Sequence, residues 1–417
     1  MTPTIDVAFA FSPGPRVPVG RLVVERNVAV FEYDAAFAAT RLSLNPAFGP
    51  VASGLLQPRD PRAFRGLHGV FADSLPDAWG ELLIGRRLRR AGVAISSLTV
   101  LDRLALVGRR GRGALVYEPA DNDEAALGAL DLDRLANEAV EILEGHESAV
   151  LRELERLGGS SGGARPKVQV ALDDAGHARG DDDALPAGFT SWIVKFRGSV
   201  DRVDIGPLEA AYAEAARRAG VEMPRTQLIQ ASSGPGYFAT ERFDRAPQGR
   251  RIHMLSIAGM LDVDWTVPAI DYETLLDAVR GATRDEKAVV QMYRRMVFNV
   301  LAVNRDDHTK QHALLLDRDG AWRLSPAYDL TLAYGPGDEH YLTVNGRGRD
   351  ITRDDLLAAA ATQAISRRRA SAIIDEVAAA TAELPAIARG FEITRATLAE
   401  LKDATSRQLS LAVASGR

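Results

Sequence analysis

The run NRDDHTKQHALLL, Asn304 to Leu316, gathers the densest set of chemically capable side chains in the sequence. Two carboxylates, two imidazoles, two amides, one guanidinium and one ammonium pass directly into an apolar stretch with the character of a strand. Three chemistries fit such a run. It could be a solvated loop. It could be a zinc site, because His308 and His312 stand at i, i+4, a spacing that chelates metal when it is helical. It could also be a catalytic loop. Thr309-Lys310-Gln311 supplies no glutamate base between the histidines, and HALLL has strand rather than helix character. Both features weigh against a zinc hydrolase.

The flanking elements sharpen the choice. AVVQMYRRMVFNVLAV, Ala288 to Val303, is apolar on more than one side and predicts a helix buried in a lobe. After the polar run come HALLL, the turn DRDG and AWRL, which predict a hairpin, and then SPAYDL with a second aspartate, Asp329. Buried helix, acidic loop, hairpin and aspartate is the order that protein kinases use for phosphoryl transfer. In that chemistry one carboxylate faces the nucleophile, while an amide five residues on and a later aspartate hold a hard cation. Asp306, Gln311 and Asp329 stand at those places.

Phosphoryl transfer also needs groups that hold phosphate, and candidates lie upstream in the required order. GGSSGGARPKVQVAL, Gly158 to Leu172, is a glycine-serine segment entering a strand. Glycine lets backbone N–H groups approach phosphates closely, although such stretches are more often plain connectors. It is not a Walker A loop, since GxxxxGK[ST] is absent and a strand follows. TSWIVKF, Thr190 to Phe196, carries Lys195 in an otherwise apolar strand. An inward lysine needs a counter-charge. ATP phosphates, Glu209 or Glu214 of the next helix could provide it; a lysine snorkelling at a strand end would need none. TERFDR, Thr240 to Arg245, falls where strand signals give way to helix signals, the place for a hinge whose backbone reads adenine.

These elements imply an α+β chain. Strand signals at Val7 to Phe11 and a hairpin from Gly20 to Asp34, turning near Glu25-Arg26-Asn27, open the sequence. Asp73-Ser74-Leu75-Pro76-Asp77 begins a helix that closes on Gly92, and GALVYEP is a further strand. The glycine-rich, basic GRRGRG ahead of it predicts a turn rather than a phosphate site, because no helix start follows. PLEAAYAEAARRAG predicts a helix capped by Gly220, and from Tyr272 onward the pattern is mainly helical. We expect a protein-kinase-like two-lobe fold with an additional N-terminal β-rich domain and a mainly helical C-terminal lobe. The expected domains are residues 1–125, 126–245 (the lobe with the glycine-rich loop) and 246–417 (the helical lobe with the catalytic loop).

Composition bounds the function. The 417 residues contain no cysteine, which excludes disulfides and thiolate metal sites. A formal charge of −5 argues against a protein that holds nucleic acid by its own field, so DNA would be reached only through a partner. The N-terminal stretch lacks the pattern of a secretory signal, and no apolar window approaches the ~18–20 residues of a membrane span. The cytoplasm is the expected location.

On SSGGARPK, WIVK, ERFDR, NRDDHTKQHALLL and SPAYDL, together with GLHGVFADSLPDAWG and GALVYEP, the chain resembles the HipA toxin kinases of HipA/HipB-type toxin–antitoxin systems. The resemblance runs from about residue 18 to 380. It implies a serine/threonine kinase using ATP and Mg²⁺. Asp306 would be the catalytic base, with His308 and Lys310 in the same loop, and Asp329 and Gln311 at the metal. Gly162, Gly163, Ala164, Lys167 and Lys195 would hold the phosphates, with Glu241 and Phe243 at the adenine-side hinge. Ser160, or Ser161 beside it, matches the glycine-loop serine that family members autophosphorylate. The implied partners are a HipB-like helix-turn-helix antitoxin and a protein substrate such as an aminoacyl-tRNA synthetase. Two departures stand out: Gln311 where members usually carry Asn, and RIHMLSIAG where many carry a Gln-Glu-Asp segment. The first keeps open an inert nucleotide-binding or corepressor module acting through a DNA-binding partner.

Overall fold

A computed structural model describes residues 4–40, 42–47, 54–120, 127–158, 163, 165–181 and 185–413. The chain forms two compact units: Met1–Arg202 with Ile229–Asp262 and Leu315–Ala321, and Val203–Leu228 with Val263–Leu314 and Trp322–Arg417. The fold is α+β and kinase-like, with strands concentrated in the first unit and long helices in the second.

Two larger sheets and a two-stranded ladder, Arg245–Ala246 with Arg250–Arg251, lie in the first unit. In one, the strand order is Leu55–Leu56, Val28–Tyr33, Val17–Glu25, Thr4–Phe9 and Leu115–Glu118. Its central hairpin turns through Arg26 and Asn27, both at positive φ (48° and 67°), the mirror-image turn that matches strand twist. The helix Ala78–Arg90 starts where expected, with Asp77 accepting the Gly80 N–H at 2.8 Å. The second sheet places Thr190–Lys195 between Tyr237–Glu241 and Lys167–Leu172. Val168, Val170, Trp192, Val194 and Ala239 from these strands pack with Trp79, Leu83 and the leucines of helix Leu151–Gly158 in one core. That shared core, and not a linker, fixes the N-terminal helix to the sheet that carries the lysines.

The turn Gly108–Gly113 is held by Arg245 and Asp244. Arg245 donates to the carbonyls of Gly111 and Gly113 at 2.9 and 3.0 Å, and the Gly113 N–H donates to Asp244 Oδ2 at 2.7 Å. A side chain at Gly113 would meet the backbone nitrogen of Met254 at 2.6 Å, so this close approach requires glycine.

The second unit is built on helices Tyr272–Thr283, Glu286–Leu301, Arg353–Thr362, Arg367–Arg389 and Arg395–Val413, with Ile205–Arg218 packed against Arg367–Arg389. Glu286–Leu301 is buried on several faces, as its composition predicts, including Tyr293, Met296, Phe298 and Leu301. Gly220 follows the Ile205–Arg218 helix at φ 73°, and the Val221 N–H returns to the Ala216 carbonyl at 2.9 Å. Tyr212 of this helix donates to the Ala302 carbonyl at 2.6 Å, which fixes where the buried helix ends and the polar loop begins.

Candidate active site

Helix Glu286–Leu301 delivers the chain to Val303, a β-branched residue held at φ 57°. Asp329, at the other end of the segment, sits at φ 58°. Left-handed backbone at such residues costs about 1–3 kcal/mol and persists where surrounding contacts demand it. Those contacts lie in the loop itself. The Arg305 N–H donates to the Ala333 carbonyl at 2.9 Å, and the Tyr328 hydroxyl donates to the Lys310 carbonyl at 2.8 Å. Thr309–Gln311 forms a single 3₁₀ turn before the strand Ala313–Leu316, so His308 lies in the loop and His312 enters the core against Tyr272. Burial drives the His312 imidazole down to about 3, so it is neutral.

The two adjacent aspartates have opposite environments. The Asp306 side chain is 51% exposed, whereas that of Asp307 is fully buried. Asp307 Oδ2 accepts from the Tyr272 hydroxyl at 2.7 Å and the His340 Nδ1 at 2.8 Å; its Oδ1 accepts from the Tyr341 N–H at 2.9 Å. Tyr272 in turn accepts from Asn299, and Asn299 accepts from Asn304, at 2.9 and 3.0 Å. Burial opposes ionisation of Asp307, but the His340 charge and the bonds from His340 and Tyr272 outweigh it and hold the carboxyl below the usual range. Asp307 therefore anchors the loop, and Asp306 is the more exposed carboxylate of the two.

His308 stands beside Asp306, with its Nε2 3.8 Å from Asp306 Oδ1. Burial lowers its pKa to about 4, against the opposing pull of Asp329, so the ring is neutral near pH 7. The Gln311 amide donates to Asp329 Oδ2 at 2.9 Å, which joins the two expected metal residues across the intervening strands. Asp329 offers carboxylate oxygen of the kind Mg²⁺ takes, and Gln311 would add an amide oxygen only with its side-chain amide turned over. Lys310 lies over the ring of Trp265, with Nζ 5.5 Å from its centroid.

In the first unit, Lys167 and Lys195 are directly opposed across neighbouring strands. Opposed residues share a sheet face, and like charges placed so repel each other. Lys167 is buried, with Nζ 3.7 Å from Asp77 Oδ2; Lys195 Nζ lies 5.7 Å from the Phe238 ring centroid. Gly163 has φ 81°, and a Cβ there would stand 2.9 Å from Lys167 Nζ. Glu241 and Phe243 are partly exposed, while Arg242 and Asp244 between and beyond them are buried. Arg242 donates to Asp244, Asp181 and Gln169, which fixes the strand that would serve as hinge. Of the two candidate partners of Lys195, Glu209 is buried and Glu214 pairs with Arg217 and Arg218 on an exposed helix face. Ser160, Ser161, Gly162 and Ala164 lie outside the described residues.

Several functional contacts escaped the sequence. Asp307 could not be separated from Asp306 without knowing which one turns inward. Tyr272, His340, Tyr341 and Trp265 are distant in sequence, and no spacing linked them to the loop. The alternation of Arg242 and Asp244 at i, i+2 was a usable signal for an inward face in a strand.

No helix among the described residues is long and apolar enough to cross a membrane. The family model for the HipA N-terminal domain matches residues 15–118, and that for the HipA-like C-terminal domain matches residues 159–384. Two Sinorhizobium fredii proteins are similar over most of their length. "Putative kinase Y4dM" is 27% identical over 84% of this chain and 82% of its own. "Putative kinase Y4mE" is 26% identical over 76% of each. In fold, the chain is similar to a HipA from Shewanella oneidensis MR-1 solved with HipB and operator DNA, with a TM-score of 0.70 at 16% identity, covering 98% of this chain and 97% of that one. With the C-terminal model alone spanning more than half of the sequence, the chain belongs to the HipA family.

Proposed function

We propose that the protein is an ATP-dependent serine/threonine protein kinase, the toxin of a HipA/HipB-type pair. The observation that carries this reading is the separation of roles in the loop. Asp307 is tied down by three hydrogen bonds, Asp306 is left exposed, and Gln311 meets Asp329 at 2.9 Å. Asp306 accepts the proton of the substrate hydroxyl, and the neutral His308 beside it adds no competing positive charge. Lys310 faces the transferred phosphoryl group. Gln311 and Asp329 would hold Mg²⁺, which supplies neutralisation of phosphate charge when bound with ATP. Lys167 and Lys195, opposed across neighbouring strands, would place two ammonium groups toward a nucleotide's phosphates. Glu209 serves as the helix glutamate and Glu241 and Phe243 as the adenine-side positions.

The substrate class follows the family: a translation component such as an aminoacyl-tRNA synthetase. A HipB-like helix-turn-helix antitoxin would bring this acidic chain to DNA, as HipB accompanies the Shewanella HipA on its operator. Autophosphorylation at Ser160 or Ser161 would add about −2 charge among the phosphate-binding residues and switch the enzyme off. The domain limits near residues 125 and 245 are part of this proposal. Phosphopeptide mapping after expression tests self-modification: phosphate on Ser160 or Ser161 in the wild type but not in Asp306→Asn supports it, and none in either opposes it.

One observation favours a second reading, an inert nucleotide-binding module. Gln311 directs its N–H toward Asp329 where a metal would need its oxygen. Nucleotide binding by the wild type without any phosphoryl transfer selects that reading.

A further inference from the structure

We infer, on the kinase reading above, that Trp265 is a positioning residue that holds His308 and Lys310 for phosphoryl transfer. Its ring centroid lies 4.8 Å from that of His308 at an interplanar angle of 47°, and Lys310 Nζ lies 5.5 Å from the same indole. Tyr341 also meets His308 edge-on, at 5.5 Å and 89°. The imidazole thus contacts two aromatic rings, with its Nε2 3.8 Å from Asp306 Oδ1. One side chain from outside the loop touches both His308 and Lys310.

The placement is not that of a core filler. Trp79 and Trp192 are 1% and 3% exposed and pack within an apolar cluster. Trp265 is only partly buried, and its neighbour Val267 is 52% exposed. The backbone that presents it is a local turn: Asp264 accepts from the Thr266 N–H at 2.9 Å and the Thr266 hydroxyl at 2.7 Å, which sets Trp265 at the apex. Lysine is a compact charge on a flexible four-carbon stem, so its ammonium has no fixed position without a partner. The electron-rich indole face, 5.5 Å from Lys310 Nζ, restricts where that ammonium can stand. The same indole stops His308 from rotating away from Asp306.

The test compares full-length wild type, Trp265→Phe, Trp265→Leu and Asp306→Asn in phosphoryl transfer to self and substrate protein, with nucleotide affinity and melting temperature measured alongside. Leu fills space but has no π face. We expect Trp265→Leu to lower kcat about tenfold while KM for ATP, nucleotide Kd and melting temperature stay near wild type. Trp265→Phe should retain roughly a third or more of the rate, because a ring face remains. Transfer by Trp265→Leu within twofold of wild type overturns the inference alone, provided Asp306→Asn has lost transfer. A loss shared equally by Phe and Leu, or one that tracks a falling melting temperature, also overturns it, since that is the signature of packing. No transfer by the wild type overturns the kinase reading and this inference with it.

Discussion

Asp307→Asn is the most informative single change in the helical unit. The substitution keeps the shape and the Oδ1 acceptor for the Tyr341 N–H, but it puts an NH₂ group where Oδ2 meets two donors, Tyr272 and His340, at 2.7 and 2.8 Å. A hydrogen bond to a buried charged group contributes about 1.5–3 kcal/mol, and a donor left unsatisfied is costly, so losing two gives about 3–5 kcal/mol. That is a large part of the about 5–15 kcal/mol that holds a domain together. The carboxyl titrates below its ordinary 3.8 in the folded chain, so its contribution is complete above 3.8 and is lost as pH falls through the lower folded value. At pH 7 the full effect is present. Urea unfolding of both proteins at pH 7 should show a lower midpoint at unchanged slope, equivalent to about 3–5 kcal/mol. A midpoint equivalent to less than about 0.5 kcal/mol from wild type would refute the anchoring role.

Further predictions follow from separate observations. His253 is wholly buried beside Phe9 and titrates near 3 rather than 6.5. Its stabilising effect is complete above 6.5 and is lost as pH falls toward 3, the loss by pH 5 being about 2 kcal/mol. Thermal melts of wild type and His253→Phe between pH 7 and 5 should therefore converge in slope only if this burial is wrong. Gly163→Ala strains a φ of 81° and runs into Lys167 Nζ, so nucleotide affinity should fall about tenfold by calorimetry; unchanged affinity contradicts a phosphate-binding role for this loop. Gln311→Ala should raise the Mg²⁺ concentration for half-maximal transfer by about tenfold, and an unshifted magnesium curve removes Gln311 from the metal set.

What could be read in advance divides by the range of the forces involved. The Arg26-Asn27 turn, the Asp77 cap, the Gly220 terminus and the buried helix ahead of Asn304 are local matters of backbone geometry and periodicity, and each stands where its residues place it. The HALLL strand likewise separates His308 from His312, as its apolar run implies. The order of loop, hairpin and Asp329 was legible too. The register that opposes Lys167 to Lys195 was not, because cross-strand pairing depends on the whole sheet. Nor was the inward turn of Asp307: two adjacent aspartates are equivalent until Tyr272, His340 and Tyr341, contributed by other segments, choose one of them. GRRGRG shows the same limit. Its turn was legible, but its role as the receptor for Arg245 and Asp244 arises only when segments more than a hundred residues apart meet.

The central claim is that Asp306 is the base of a phosphotransferase. It is tested most directly by incubating the full-length protein with radiolabelled ATP and Mg²⁺ beside Asp306→Asn, with a cell lysate as the source of substrates. Asp306 is half exposed, so the variant is expected to fold and to bind nucleotide as the wild type does. The wild type should label itself or a lysate protein on serine or threonine, and the variant should lose that label by at least about a hundredfold. Equal labelling by the two proteins, or none by a wild type that binds ATP, contradicts the claim.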